Sequence, residues 1–356
     1  MAAILHAVIF SILIFKKEEN KKANRFYVLC LIALAHTLFT KLILEQQWYP
    51  YHQWLFVLPF GLSFLIAPSF YFYIKFLVYP GSKFKKLELI HFVPVIFNYL
   101  HSFYHLINGP GIYHSEFHNF TEAVQLYATF PALVYLYFAY RMIRQYEESL
   151  LDQFSNVDNR KVNWAKQLII VYVSATAITL IFVIADFHLL FDFKAEFSES
   201  NLFRFDQILT ITYAISLYWS SLGTYNQQQV ENEPIKAGKT HDKKDYSDMA
   251  SKLTEAMEKQ HMYRHPELKL RTLEDELKIT PKEISATLNH HFKKNFYEFV
   301  NSYRVNDAMR RLESAEFDHL TIEAIAYQSG FNSKASFHRI FKEHIGIAPG
   351  SFRTRK

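Results

Sequence analysis

Apolar residues are distributed along the chain in two regimes, and the boundary between them lies near Leu222. Before it they crowd into seven long runs, roughly Ala2–Phe15, Phe26–Leu44, Trp54–Leu77, Leu87–Ile107, Phe120–Tyr140, Trp164–Leu190 and Phe205–Leu222. After it they recur at helical spacing inside polar sequence. A helix that crosses a bilayer needs about 20 mostly apolar residues. All the runs but the first reach that range. The pattern predicts an all-α protein: a polytopic transmembrane helix bundle over residues 1–223, a linker over 224–248, and a helical domain over 249–356. The linker, "TYNQQQVENEPIKAGKTHDKKDYSD", is too polar to bury a core of its own.

The charges between the runs give a second, independent signal. Lys and Arg gather in cytoplasmic loops. The odd loops hold Lys16, Lys17, Lys21, Lys22 and Arg25, then Lys83, Lys85 and Lys86, then Arg144, Arg160, Lys161 and Lys166. The even loops hold Lys41, then no Lys or Arg between His101 and Phe120, then Lys194 and Arg204. This bias predicts an outside N-terminus and a cytoplasmic C-terminus after seven crossings, in a bacterial inner membrane. The first run is expected to be retained as a span, because its positive charge follows it rather than preceding it as in a signal peptide. Trp48, Tyr49, Tyr51 and Trp54 suit a headgroup belt. Pro59 and Pro68 predict a kinked third span.

Composition changes little in this picture. Aromatic residues make up 17 % of the 356, and the net charge of +5 suits either an anionic lipid surface or nucleic acid. A single cysteine, Cys30, excludes a disulfide framework or a cysteine-based zinc site within one chain.

The polar regime carries the chemistry. "SDMASKLTEAMEKQHMY" places Met249, Leu253 and Met257 on one stripe, and a short helix is expected near Thr272–Leu277. "ITPKEISATLNHHF" opens with Thr280 as N-cap and Pro281 at the first helical position. A longer helix, about Phe296–Leu312, follows. The order then repeats. Thr321 caps a short helix that Gly330 stops, Ser333 caps an amphipathic helix through Phe337, Ile340 and Phe341, and Gly346 ends it. Helix, tight turn, second helix, twice over, is the helix-turn-helix layout, in which the second helix enters the major groove.

On these residues the segment from about Tyr263 to Arg353 resembles the DNA-binding domain of AraC/XylS-type bacterial transcription regulators. "IEAIAYQSGF" and "SFHRIFKEHIGIAPGSFR" carry Ala326, Gly330, Phe331, Phe337, Phe341, Lys342, Gly346, Pro349 and Arg353 at that family's spacing. "NFYEFVNSYRVNDAMRRL" resembles its linker helix. The resemblance implies double-stranded promoter DNA as partner. It implies base-facing positions at Lys334, Ala335, Ser336, His338 and Arg339 in the second motif, with Lys342 beside them. In the first motif the matching positions are Lys282, Ser285, Ala286 and Asn289. Arg339 suits guanine and Asn289 adenine, and either Ser336 or Ser285 can serve several partners. The first motif departs from the pattern. Glu274 stands where the second has Ala326, and Lys293 where it has Gly346. Its expected contribution is phosphate contact through Lys293 and Lys294. The domain is only mildly basic, so isolated binding is expected to be modest and salt-sensitive.

In the apolar half, His101, His105, His114 and His118 form two i, i+4 pairs around "NGPG", a weak metal or proton-sensing candidate. Lys75, His36, Asp186, His188 and Asp206 lie within or near the spans, where pairing or snorkelling is the expected role. There is no phosphate-binding glycine loop, HExxH or GxSxG string, so neither a cofactor nor an enzyme is predicted. The whole reads as a membrane-anchored, homodimeric transcription regulator that answers an unidentified envelope or membrane signal. Three alternatives stay open: a transporter-like membrane domain, an enzymatic one, and a DNA reader released by proteolysis near Gln227–Gln229.

Overall fold

The computed structural model describes residues 1–45, 62–108, 113–158, 162–190, 199–226 and 246–354. Apart from one isolated antiparallel bridge, the described residues are helical or in turns. They divide into two compact units. Unit 1 comprises Met1–Arg144 and Val162–Glu233, and unit 2 comprises Gln145–Lys161 and Pro234–Lys356.

The helices of unit 1 follow the apolar runs: α1 Ala2–Lys16, α2 Lys21–Glu45, α3 Ser63–Val78, α4 Val93–Asn108, α5 Tyr113–Leu151, α6 Asn163–Leu190 and α7 Glu199–Asn226, with α5 ending inside unit 2. Within this unit α2 packs on α1, α3 and α7, and α7 also packs on α1 and α6. The expected fourth span is divided. Lys86–Phe92 is a 3₁₀ turn and α4 starts only at Val93. Pro94 explains the break, since it has no N–H to give to the carbonyl of Ile90 in a continuous α-helix. Pro68 is tolerated inside α3, and Pro59 lies outside the described residues. Among the described residues one stretch, Lys21–Thr40 in α2, is long and apolar enough by itself to cross a membrane; α1 and α3 are apolar but shorter. Lys75, near the end of α3, pairs with Glu88. His36 packs beside Thr40 with its Nδ1 3.5 Å from the hydroxyl.

Unit 2 contains α8 Ser247–Glu258, α9 Leu270–Leu277, α10 Pro281–Thr287, α11 Phe296–Glu313, α12 Ile322–Gln328, α13 Lys334–Ile345 and α14 Pro349–Arg353. It has two cores that share one wall. Leu253, Met257, Leu273, Ile284 and Leu288 pack with Phe296, Phe299 and Val300 of α11. Ile325, Ala326, Phe331, Phe337, Ile340 and Phe341 pack with Val305, Ala308 and Leu312 further along the same helix. The 3.6-residue repeat of α11 thus seats each half of the unit on successive turns of one helix. The caps are those the sequence announces. Thr280 accepts from the Glu283 amide at 3.3 Å, Thr321 from Ala324 at 3.0 Å and Ser333 from Ser336 at 3.1 Å. Each such cap is worth about 1 kcal/mol. Asn295 and Glu298 add a capping box at the start of α11.

One part of unit 2 is not contiguous with the rest. Gln145–Lys161, the segment between the fifth and sixth apolar runs, belongs to it. Gln153 through Val157 are buried. The Ser155 amide donates to Leu268 O at 3.2 Å and the Leu270 amide to Gln153 O at 3.0 Å, which makes the bridge between Phe154 and Lys269.

Candidate nucleic-acid interface

The second helix-turn-helix consists of α12, the turn at Ser329–Asn332 and α13. Gly330 carries the turn at φ +91°, and a Cβ there would lie 2.4 Å from the Tyr263 carbonyl oxygen. Only glycine satisfies both the backbone angle and the space. Gly346 ends α13 at φ +84° with open space around it. The first motif, α9 and α10, makes the same bends with lysines: Lys278 has φ 56° and Lys293 has φ 54°. The replacement of Gly346 by Lys293 in the first copy therefore leaves the backbone path intact and places a left-handed lysine at the end of the helix. Leu288–Phe292 forms a π-helical turn before it. Glu274, the residue standing for Ala326, is half-buried, whereas Ala326 is fully buried.

The candidate contact residues differ in availability. In the first motif Lys282, Asn289 and Lys293 are exposed, and Ser285, Ala286 and Lys294 are half-buried. In the second, Lys334, Ala335 and Lys342 are exposed, His338 is half-buried and Ser336 is 5 % exposed. Arg339 lies at the surface, but both its terminal nitrogens are engaged. Nη2 donates to Asp158 Oδ1 and to the Tyr297 hydroxyl, each at 3.1 Å, and Nη1 faces the Glu343 carboxylate at 3.4 Å. Ser336 Oγ hydrogen-bonds Asp158 Oδ2. Burial works against the charge on Arg339, yet the Tyr297 hydroxyl, Asp158 and Glu343 outweigh it and hold the guanidinium above its ordinary pKa. Asp158 and Tyr297 are the residues that sequence reasoning missed here. Asp158 is 181 positions from Arg339, and nothing local marks it as a partner.

Two buried charges fix the frame behind the helices. Arg304 of α11 is 2 % exposed. It donates to the carbonyls of Tyr263 at 2.8 Å, His265 at 2.8 Å, Pro266 at 3.3 Å and Ser155 at 3.3 Å, and to Ser155 Oγ at 3.0 Å. Burial lowers its pKa to about 10, so it stays charged at neutral pH, held by carbonyl dipoles. Asp307, one turn on, accepts from Arg264, Arg311 and Ser329. Burial opposes its charge, but Arg311 and then Arg264 outweigh burial and keep the carboxyl below its ordinary value. Together they tie the segment before α9, the helix α11 and the turn after α12 into one body.

The side chains of His101, His105, His114 and His118 lie outside the described residues, as do those of Asp186, His188 and Asp206. The helix backbone does carry the histidine pairs, on α4 and α5 respectively. Among the described residues no cluster of three or more His, Cys, Asp or Glu side chains could hold a metal.

Two helix pairs mounted on a shared helix, with basic and small polar residues on the second helix of each pair, define a tandem helix-turn-helix domain. Residues 273–355 match the model of a helix-turn-helix domain family, of the AraC type that the sequence resembles. The chain is 31 % identical over 77 residues to the HTH-type transcriptional regulator YpdC of Escherichia coli K12, covering 22 % of this chain and 26 % of that protein. It is 37 % identical over 57 residues to the TCP pilus virulence regulatory protein of Vibrio cholerae, covering 16 % of this chain and 20 % of that protein. The chain thus spans about a quarter or less of the length of these relatives. No solved structure matches the chain.

Proposed function

We propose that this protein is a membrane-embedded transcription regulator whose C-terminal domain reads promoter DNA with α13 and, through Lys293 and Lys294 after α10, grips phosphate. The observation that carries the DNA-reading half is α13 itself. Its core face, Phe337, Ile340 and Phe341, is fixed against α11, which leaves Lys334, Ala335, His338 and Arg339 on the other side at base-reading positions. The match of residues 273–355 to a helix-turn-helix family model, and two bacterial relatives named as regulators, support the same reading.

The membrane half rests on an inverted helix. In α7, Ile208, Ile211, Ile215, Trp219 and Leu222 are exposed, while Ser216, Ser220, Ser221 and Thr224 are buried. The buried hydroxyls are used: Ser221 Oγ lies 2.7 Å from His6 Nε2, and the Tyr73 hydroxyl donates to Thr224 at 3.4 Å. Apolar outside and small polar inside is the arrangement expected where lipid is the solvent. Exposed Leu5, Ile9 and Ile12 on α1, and Ile170, Val173 and Ile181 on α6, extend the apolar outer surface. In this reading the seven helices cross a bacterial inner membrane with the N-terminus outside. A signal ligand that prefers one helix arrangement shifts its population. A homodimer presents two readers to paired half-sites.

Genome-wide mapping of DNA bound by the full chain in its own cells tests the proposal. Discrete sites sharing one sequence motif, lost in the double variant Lys334→Ala, Arg339→Ala, are expected. A profile no more peaked than that of the double variant would sink DNA reading by α13.

A further inference from the structure

Resting on the reading of α13 as the recognition helix, we infer that Asp158 is a latch that holds this helix in a DNA-blocked state, occupying Arg339 and Ser336 with its carboxylate. The contact has two parts: Asp158 Oδ1 accepts from Arg339 Nη2 at 3.1 Å, and Oδ2 accepts from Ser336 Oγ, whose residue is 5 % exposed. Arg339 reads guanine by offering two parallel N–H groups to one base edge. Here one terminal nitrogen is taken by Asp158 and Tyr297, and the other faces Glu343. The same carboxylate adds a negative charge where the phosphates of a bound duplex would pass.

The latch is seated rather than incidental. The five residues before it are buried, and the bridge between Phe154 and Lys269 pins them to the strand-like stretch ahead of α9. Ser155 supplies its carbonyl oxygen and its Oγ to the buried Arg304, and the same carbonyl oxygen also accepts from Asn301 Nδ2 at 3.1 Å. Asn156 Nδ2 donates to Glu267 at 2.9 Å, and the same carboxylate oxygen accepts from Asn332, in the turn before α13, at 3.0 Å. The anchor is therefore dry and well hydrogen-bonded. Asp158 itself, at its tip, has a side chain 37 % exposed and held by its contacts to Arg339 and Ser336. A tip of this kind can be withdrawn while the anchor stays. The segment also joins α5 to α6, so the latch sits on chain that leads directly into the apolar helices at both ends. A change in those helices then has a covalent route to Asp158, and through its ion pair to Arg339, that does not pass through the linker before α8.

The test uses the full chain reconstituted in lipid nanodiscs. A duplex is selected from a random-sequence library of about 30 bp by the Asp158→Asn protein. Its affinity is then measured by fluorescence anisotropy, at fixed salt of about 0.1 M, for the wild type, Asp158→Asn, Asp158→Glu, Arg339→Ala and the double variant Asp158→Asn, Arg339→Ala. Asp158→Asn should bind at least about fivefold more tightly than wild type, the low end of typical intramolecular coupling. Asp158→Glu should stay close to wild type, and the gain should vanish in the Arg339→Ala background. Equal or weaker binding by Asp158→Asn would overturn the latch, and so would an undiminished gain in the Arg339→Ala background, which would assign the effect to charge in general. If no protein enriches any sequence from the library, DNA reading itself fails, an outcome distinct from a failed latch.

Discussion

Glycine and lysine meet the same backbone demand in this domain at different cost. Gly330 and Gly346 both have positive φ, but they differ in what surrounds them. An alanine at Gly330 would put its Cβ 2.4 Å from the Tyr263 carbonyl oxygen and 2.8 Å from Arg264 Cα, both backbone atoms that cannot step aside. At Gly346 it would meet nothing within 4 Å. Gly330→Ala should therefore destabilise the second motif by about 3 kcal/mol, combining clash and strain, and Gly346→Ala by about 1 kcal/mol, from strain alone. All four tryptophans lie outside this domain, so the check is hydrogen exchange of peptides from α12 and α13 in the full chain. Equal losses at the two sites would refute the steric argument. The reverse change in the first motif separates two roles of one side chain. Lys293→Gly should raise the stability of α10 by roughly 0.5 kcal/mol, because glycine accepts φ 54° without strain. If the lysine also grips phosphate, the same change should lower DNA affinity and flatten its salt dependence by about one unit of slope. These residues were legible in part. The caps Thr280, Thr321 and Ser333 and the stop glycines are local signals, and each is found in place. The capping box of Asn295 and Glu298 had the same kind of signature in "NFYE" and could have been read from it.

At the scale of elements, α11 is the organising piece, and its buried charges make a specific demand on pH. Asp307 has a side chain 5 % exposed and a pKa held below its ordinary value. A carboxyl whose folded pKa is depressed contributes stability that is fully present above its unfolded value, about 4, and is lost as pH falls through the depressed folded value. The second motif should thus loosen below about pH 4, seen as faster exchange in α12 and the turn at Ser329. Asp307→Asn should be less stable at neutral pH and show a weaker acid dependence. A variant that kept the wild-type slope would place the acid sensitivity elsewhere. Sequence pattern foretold α8 to α13 to within a few residues because their burial is periodic. It did not foretell that Gln145–Lys161 completes the domain, since Ser155 and Arg304 are 149 positions apart and pairing at that separation leaves no periodic trace. Nor did it foretell the break before α4, although Pro94 was visible, because a continuous apolar run says nothing about where a helix inside it begins.

At the scale of the molecule, the loop charges and the packing of unit 2 bear on one question from different directions. In the proposed topology, the bias in Lys and Arg puts the loop after α5 and the C-terminus on the same side of the membrane. The burial of Gln153–Val157 in the domain formed by the C-terminal residues requires that same side for both. Neither observation uses the other, since one counts charged side chains and the other rests on hydrogen bonds to Leu268, Leu270 and Arg304. Reporter fusions in living cells give a direct check. A periplasm-dependent phosphatase fused after residue 112 should be active, and after residue 161 or 226 inactive; a cytoplasm-dependent reporter should show the opposite pattern. Activity of the phosphatase after residue 161 would be incompatible with both the charge bias and the anchored Ser155, and would remove the membrane topology proposed here. The fusion after 161 carries a second reading in the same experiment. It lacks Arg304 and the rest of the C-terminal domain, so a cytoplasmic reporter there should be active while the chain binds no promoter.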